Sequence, residues 1–247
     1  MDIFSVKDKT VLITGASRGI GKSYGLGFKE AGAIVYGTGT SSKSISWMKE
    51  YGIEGRVNNV LEDDQIKDII EEIKLKHGKL DVLINNAGIA MNKPASVLSE
   101  KDMNDLIDIN FKAVFRSCQA YYKTHKRIGG NIINISSVLG LRGFALSSVY
   151  SGTKGAIIQL SKACVAEWAR SKFRINVICP GFIDTDMNRA LKESETIMES
   201  IKKKIPMGRM GKPEELLGTA MYLSSSASSY LTGQIIVVDG GMTEVIG

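Results

Sequence analysis

Short apolar runs alternate with longer amphipathic stretches from one end of the chain to the other. Val11-Leu12-Ile13, Ile34-Val35-Tyr36, Val82-Leu83-Ile84, Ile132-Ile133-Asn134-Ile135, Ile175-Asn176-Val177-Ile178 and Ile235-Ile236-Val237-Val238 read as strands, with a less apolar one near Gly55–Val60. Near-continuous apolar runs of this kind belong in a parallel sheet covered on both faces. Helical periodicity marks residues 19–31, 63–77, 100–126, 149–170 and 213–223 between them. The alternation predicts right-handed β-α-β crossovers, hence an α/β fold: a doubly wound parallel sheet of about seven strands with helices on both faces. No internal repeat, low-complexity tract or Pro/Gly-rich linker interrupts it, so residues 1–247 are expected to form a single domain.

Composition narrows the partners. With 43% hydrophobic and 23% charged residues, 247 residues suffice for one large buried core. The net charge of +6 raises the question of nucleic acid, but the basic residues are scattered among 26 acids without an arm or an aromatic-interleaved stripe. No nucleic-acid partner is expected; a mildly basic surface suits phosphorylated or acidic ligands equally well. Cys118, Cys164 and Cys179 lack paired metal spacing and read as small core residues, and His77 and His125 are too isolated for a metal site. No basic segment followed by a long apolar run opens the chain, and no segment approaches the ~20 apolar residues of a membrane span. A cytoplasmic protein without a membrane partner is expected.

The first strand runs straight into Thr14-Gly15-Ala16-Ser17-Arg18-Gly19-Ile20-Gly21, which opens the first helix. Glycine allows the tight turn and a close backbone approach to pyrophosphate, while the helix N-terminus offers free N–H groups and partial positive charge. Strand before and helix after make this a Rossmann-type dinucleotide site, with Gly15, Ser17, Arg18, Gly19, Ile20 and Gly21 on its phosphate side. A fold that selects NAD ends its second strand on an acid for the ribose 2′-hydroxyl. Here that segment reads Tyr36-Gly37-Thr38-Gly39-Thr40-Ser41-Ser42-Lys43, with Gly39 where the acid is expected and none before Glu50. Thr40 and Ser41 can hydrogen-bond a 2′-phosphate and Arg18 can supply charge, so NADP(H) is the expected cofactor. The cofactor half is then about residues 1–130, and the catalytic and substrate half about 131–247.

Positions i and i+4 share a helix face, so Tyr150 and Lys154 point the same way. A free tyrosine titrates near 10. The ammonium, together with the positive nicotinamide of an oxidised cofactor, is expected to bring the phenol closer to working pH. In the reductive direction Tyr150 gives its proton to a carbonyl oxygen as hydride reaches the carbon. Ser137, after the strand Ile132–Ser136, can hydrogen-bond the same oxygen.

These residues, with Asn85-Asn86-Ala87-Gly88, Asn110, Ile135-Ser136-Ser137 and Pro180-Gly181, make the chain resemble the short-chain dehydrogenase/reductase family over essentially its whole length. The resemblance implies a catalytic tetrad of Asn110, Ser137, Tyr150 and Lys154, with Asn110 holding a water that links Lys154 to solvent. It also implies that Asn59, Val60, Asn86, Ala87 and Gly88 line the adenosine side. After Pro180 and Gly181, Ile183 and Thr185 would hold the nicotinamide carboxamide, and Tyr150 and Lys154 also meet the cofactor.

Within the family the chain is most similar to 3-oxoacyl-acyl-carrier-protein reductases of fatty acid synthesis, through Thr14–Gly21, Gly37–Ser41 and Pro180–Met187. That resemblance implies an acyl-carrier protein or other acyl thioester as partner and substrate. Ile89-Ala90-Met91-Asn92-Lys93-Pro94 departs from the pattern, and Ala166-Glu167-Trp168-Ala169 is similar to sugar-acid and polyol dehydrogenases such as gluconate 5-dehydrogenases. Lys202-Lys203-Lys204, Arg209 and Lys212, in a substrate loop at roughly 187–212, are candidates to meet an anionic substrate. Lys123, Lys126, Arg127, Arg170, Lys172 and Arg174 are expected to extend this basic surface around the entrance. Phe111, Val114, Phe115 and Tyr121 on one long helix, and Ile157, Ile158, Leu160 and Trp168 on another, exceed the apolar face a sheet requires. The family resemblance turns that surplus, with the C-terminal strand, into a homotetramer.

Overall fold

The computed structural model describes residues 2–62, 65–188 and 193–244. Positions 63–64 of the second expected helix, and 189–192 of the substrate loop, lie outside them. The elements run β1 (Thr10–Ile13), α1 (Gly19–Glu30), β2 (Ile34–Gly39), α2 (Ser42–Ile45), β3 (Glu54–Val57), α3 (Gln65–His77) and β4 (Val82–Asn85). They continue with α4 (Glu100–Ile107), a π-helical turn (Asp108–Lys112), α5 (Ala113–His125), β5 (Gly130–Ile135), α6 (Ser148–Trp168) and β6 (Phe173–Pro180). The last described elements are α7 (Glu195–Lys203), α8 (Leu217–Ser224) and β7 (Ile235–Val238). All pairings are parallel, and the seven-stranded sheet has the order β3-β2-β1-β4-β5-β6-β7. Strand order therefore reverses between β1 and β4. At such a point the chain leaves neighbouring strands in opposite directions, and a crevice opens at their carboxyl ends.

Each face of the sheet carries its own core. Tyr24 and Phe28 of α1 pack with Ala220 and Leu223 of α8 against Val11, Ile13, Val35 and Ile178. Ile66, Ile69, Ile70 and Ile73 of α3, at i, i+3, i+4 and i+7, join Val114, Cys118 and Tyr121 of α5 and Ile157 of α6 on the other face. The aliphatic bodies removed from water are the main stabilising contribution to this layered arrangement. Cys118, Cys164 and Cys179 are buried free thiols. His125 accepts the Leu80 amide proton at Nε2 (2.9 Å), and His77 pairs with the Tyr36 hydroxyl (2.9 Å). Among the described residues no helix is long and apolar enough to cross a membrane.

Two surface expectations change. Val114, Tyr121, Ile157, Ile158 and Trp168 are buried within the chain itself, so the apolar surplus shrinks to exposed Phe115 and half-buried Phe111 and Leu160. Arg174 is not a surface cation: it donates to Leu223 O at 2.8 Å and Leu231 O at 3.2 Å. Moreover, Lys123, Lys126 and Arg127 at the end of α5, and Arg170, Lys172 and Arg174 at the start of β6, lie at the edge where strands begin. The glycine turn and Ser137 lie at the opposite edge. Within one chain, these cations do not surround the entrance.

Candidate active site

Four segments leaving the carboxyl ends of β1, β4, β5 and β6 build one crevice. After β1, the chain turns at Gly15, whose φ of +65° is the left-handed region that glycine alone enters cheaply. A Cβ there would stand 2.7 Å from Ala87 Cα, so the turn after β1 touches the one after β4. Thr14 Oγ1 accepts from the Asn86 and Ala87 amides (3.0 and 3.1 Å), and Asn86 Nδ2 returns to Thr14 O and Gly15 O, both at 3.0 Å. Asn86 thus spends its amide bracing the turn, leaving Ala87 and Gly88 backbone to line the crevice. The bracing role of Thr14 is missed by sequence reasoning; the signal was its place between the strand and the first glycine.

The start of α1 suits an anion. Arg18, its N-cap, is extended and no side chain caps the first-turn amides. The Arg18 side chain is exposed and has no acidic partner among the described residues. Ser17 and Ile20 are half-buried beside it, and a Cβ on Gly21 would run into Gly15 O and the Asn86 amide. Beyond β2, Thr40 and Ser41 are exposed. Ser41 Oγ accepts from Ser44 N at 3.3 Å to cap α2, which leaves its own hydrogen free to donate. Asn59 differs from expectation: its side chain bonds Glu62 Oε1 (3.1 Å) and the Leu61 amide (3.2 Å), fixing the approach to α3. Val60 instead shares a crevice with Thr14 and Ala87.

After β6, Gly181 approaches Asp239 so closely that a Cβ would lie 2.7 Å from the Asp239 Cβ. Pro180 and Ile183 are buried, and Ile183 pairs with Gly211 in an isolated bridge. Thr185 Cγ2 lies 3.4 Å from the Cβ position of Gly19, which brings the post-β6 segment over the glycine turn. An uncapped helix N-terminus, a glycine cradle and an acid-free donor set after β2 fit a dinucleotide bearing a 2′-phosphate.

Beside this cradle stand the candidate reactive groups. Ser136 Oγ donates to Lys154 O (2.8 Å), and Gly140 is so close that a Cβ would sit 2.8 Å from the Lys154 carbonyl carbon. These contacts seat the first turns of α6 against the end of β5. Lys154 is buried; its ammonium donates to Ile135 O at 3.0 Å and lies 5.8 Å from the Tyr150 ring centroid. Burial pushes the lysine down to about 8. Tyr150 is half-buried beside the Ser137 hydroxyl, while Ser137 Oγ accepts from Leu139 N at 3.1 Å. The sequence expectation of a lowered Tyr150 pKa is corrected for the protein groups alone: burial raises it, and the Ser137 hydroxyl only partly opposes this.

Asn110 is fully buried in the π-helical turn. Its Oδ1 accepts from Ile89 N and its Nδ2 donates to Ile89 O, both at 2.9 Å, with Thr153 Oγ1 at 3.3 Å. The Cβ position of Gly88 lies 3.1 Å from Asn110 Oδ1 and 3.5 Å from Lys154 Nζ, so Asn110 and Lys154 meet at that glycine. The turn closes with an Ala113 N to Asp108 O bond, one residue longer than α-helical spacing, which loosens the carbonyl ladder around Asn110. Thr153, which sequence reasoning also passes over, ties Asn110 to α6.

Comparison with known proteins places the whole chain beside two kinds of oxidoreductase. A family model described as enoyl-(acyl carrier protein) reductase matches residues 15–243. A 3-oxoacyl-[acyl-carrier-protein] reductase of Thermotoga maritima is 39% identical over 245 residues, covering 96% of this chain and 98% of that protein. A gluconate 5-dehydrogenase of Gluconobacter oxydans is 38% identical over 249 residues, covering 98% and 97%. Among solved structures, a gluconate 5-dehydrogenase from Burkholderia cenocepacia in complex with NADP and tartrate superposes with a TM-score of 0.95, at 33% identity over 99% of each chain.

Proposed function

Since the chain belongs to the short-chain dehydrogenase/reductase family, we propose that it reduces a 3-oxoacyl thioester, carried on acyl-carrier protein, to the 3-hydroxyacyl product with NADPH. The observation that carries the reading is the gathering of Ser137, Tyr150 and Lys154 beside the uncapped start of α1. When bound, NADPH supplies the hydride. Gly15, Ser17, Arg18, Gly19, Ile20 and Gly21 hold its phosphates, Thr40, Ser41 and Arg18 its 2′-phosphate, and Val60, Ala87 and Gly88 its adenosine side. Pro180, Gly181, Ile183 and Thr185 close over the glycine turn from the other side.

Tyr150 donates its proton to the substrate carbonyl oxygen. Ser137 Oγ accepts the Leu139 amide, which fixes the hydroxyl, and its hydrogen can turn to that oxygen once the substrate is in place. The Lys154 ammonium, fixed by Ile135 O, lowers the cost of the phenolate left behind. Asn110 holds the Gly88-Ile89 backbone against Lys154, and the loosened carbonyls of its π turn can orient the water that returns the proton.

An acyl substrate suits the mouth of the crevice. Leu141, Leu146 and Met187, on the segments flanking Ser137, Tyr150 and Ile183, are 40%, 51% and 50% exposed, apolar surface that an acyl chain would cover. The second reading, a sugar-acid or polyol dehydrogenase, is favoured by the similarity to gluconate 5-dehydrogenases. NADPH oxidation measured side by side with acetoacetyl thioesters and 5-ketogluconate separates the two. Brisk reduction of the keto-sugar acid with no activity on any thioester would establish the second. A homotetramer remains part of the proposal, through exposed Phe115 and the half-buried apolar edge strand β7.

The cofactor reading predicts higher kcat/KM with NADPH than NADH. An acid at position 39 is a poor test, because a Cβ on Gly39 would stand 2.7 Å from Ile45 Cγ2 and Ser44 Oγ. Thr40 is exposed, so Thr40→Asp places a carboxylate near the 2′-phosphate without that clash. Repulsion of that order is expected to lower kcat/KM for NADPH about 10- to 100-fold while sparing NADH. Equal kcat/KM for the two cofactors in the unmodified protein would overturn the assignment.

A further inference from the structure

Two cations at the mouth of the crevice have no carboxylate partner among the described residues. Lys204, just beyond α7, holds its ammonium 5.1 Å from the Phe144 ring centroid. Phe144 in turn packs edge-to-face on Phe182, with centroids 5.8 Å apart. Phe144 lies six positions before Tyr150, and Phe182 directly precedes Ile183, so the stack joins the two segments that carry those site residues. Arg142, on the same segment as Phe144, donates one hydrogen bond, from Nη2 to Thr243 O at 3.3 Å. Thr243 belongs to the turn on which Pro206 and Met207 rest: Met207 N donates to Gly240 O (3.2 Å), and Pro206 Cγ lies 3.2 Å from the Cβ position of Gly241. On that turn Asp239 is spent on the Gly241 and Thr243 amides and the Thr243 hydroxyl, each at 2.8 Å, and Glu244 Oε1 accepts from the Thr243 hydroxyl at 3.4 Å.

Two of the neighbouring basic residues, Lys202 and Arg209, behave differently. Lys202 pairs with Glu199 at 3.3 Å, and Arg209 forms a bidentate pair with Glu215 at 2.7 Å. These charges are neutralised locally, which removes them from the set expected to meet an anionic substrate. Lys204 and Arg142 keep most of their donors open, and a ring face attracts a cation without neutralising it. An ammonium and a guanidinium placed this way match an oxyanion.

We propose that Lys204 and Arg142 form an anion-binding rim, and that the natural substrate carries a carboxylate or phosphate remote from its reacting carbonyl. The proposal rests on the carbonyl-reductase reading and deepens it. Both substrate classes under consideration carry such a group: the phosphate of a phosphopantetheine arm, or the carboxylate of a sugar acid.

The test uses two matched pairs of ketones with the intact enzyme and NADPH. One is acetoacetyl-phosphopantetheine against the neutral acetoacetyl-N-acetylcysteamine, the other 5-ketogluconate against L-sorbose, its uncharged counterpart. In the pair that resembles the natural substrate, the anionic member is expected to have the higher kcat/KM, mostly through KM. Each exposed cation should contribute about two- to fivefold, and the preference should fall with ionic strength. Lys204→Met with Arg142→Met should bring the ratio to near one, whereas Lys204→Arg should preserve it. Which pair responds identifies the phosphate or the carboxylate as the group recognised. A ratio near one for both pairs in the unmodified enzyme overturns the rim alone, as does an equal loss on both members in the double variant, which would mark a structural strut. Turnover of none of the four ketones overturns the reductase reading and the rim with it.

Discussion

Tyr150→Phe is expected to leave the melting temperature and NADPH affinity close to those of the unmodified protein while turnover falls about 10²–10⁴-fold, the usual effect of removing a positioned acid. The ring of Tyr150 stays because phenylalanine has the same body, and the segment around it is held by contacts that do not involve the hydroxyl. Ser136 Oγ donates to Lys154 O, Thr153 Oγ1 donates to Tyr150 O, and Ser147 O accepts from Ser151 N. What disappears is the hydroxyl beside Ser137 that supplies the proton for the carbonyl oxygen. The loss should lie in kcat and kcat/KM together, because an interaction made as the proton moves is absent from the ground state. A variant that binds NADPH by fluorescence titration and still turns over within a few-fold of normal would refute the assignment of Tyr150.

Most of the fold and much of the site were legible because the physics that forms them is local. Ile66, Ile69, Ile70 and Ile73 announce a helix face, and the apolar runs around Ile13, Ile84 and Ile135 announce covered strands. Gly15 was legible because its positive φ and its contact with Ala87 leave no room for a side chain. What escaped depends on partners distant in sequence or on small breaks in period. Ser41 and Ser44 cap each other to start a four-residue helix, too short to show a periodicity, in a stretch that reads as polar loop. The π turn at Asn110 inserts its longer bond into a pattern that still looks helical from 100 to 126. Arg174 counts as surface charge in any composition, yet its guanidinium faces the Leu223 and Leu231 carbonyls. The direction that the protein groups alone give the Tyr150 pKa was hidden for the same reason: spacing shows the lysine nearby, whereas the burial that raises it is not revealed by spacing.

Lys154→Met is expected to make the protein more stable at pH 7 while reducing turnover at least about 10²-fold, the scale for removing a preorganised electrostatic group. The ammonium is buried, and its pKa falls from 10.5 to about 8. Between those values the unfolded chain holds a proton that the folded chain has released, so stability rises with pH across the window; below pH 8 the buried charge costs about 3 kcal/mol. Methionine removes that cost but leaves Ile135 O without the bond it accepts at 3.0 Å, a loss of about 1–2 kcal/mol. The net gain of roughly 1–2 kcal/mol should raise the melting temperature by a few degrees at pH 7, then shrink and reverse as pH climbs from 8 toward 10.5, where the unmodified lysine is already neutral in the fold and keeps its bond to Ile135 O. Over the same range the unmodified enzyme should lose reductive turnover, since a neutral amine no longer steadies the Tyr150 phenolate. Such a stability gain at the expense of activity is the signature of a charge kept for function. Thermal unfolding at pH 7 and pH 10, alongside the rate profile, checks both halves. A melting temperature lowered at pH 7, or a gain that does not shrink by pH 10, would mean that Lys154 is held as a structural donor to Ile135.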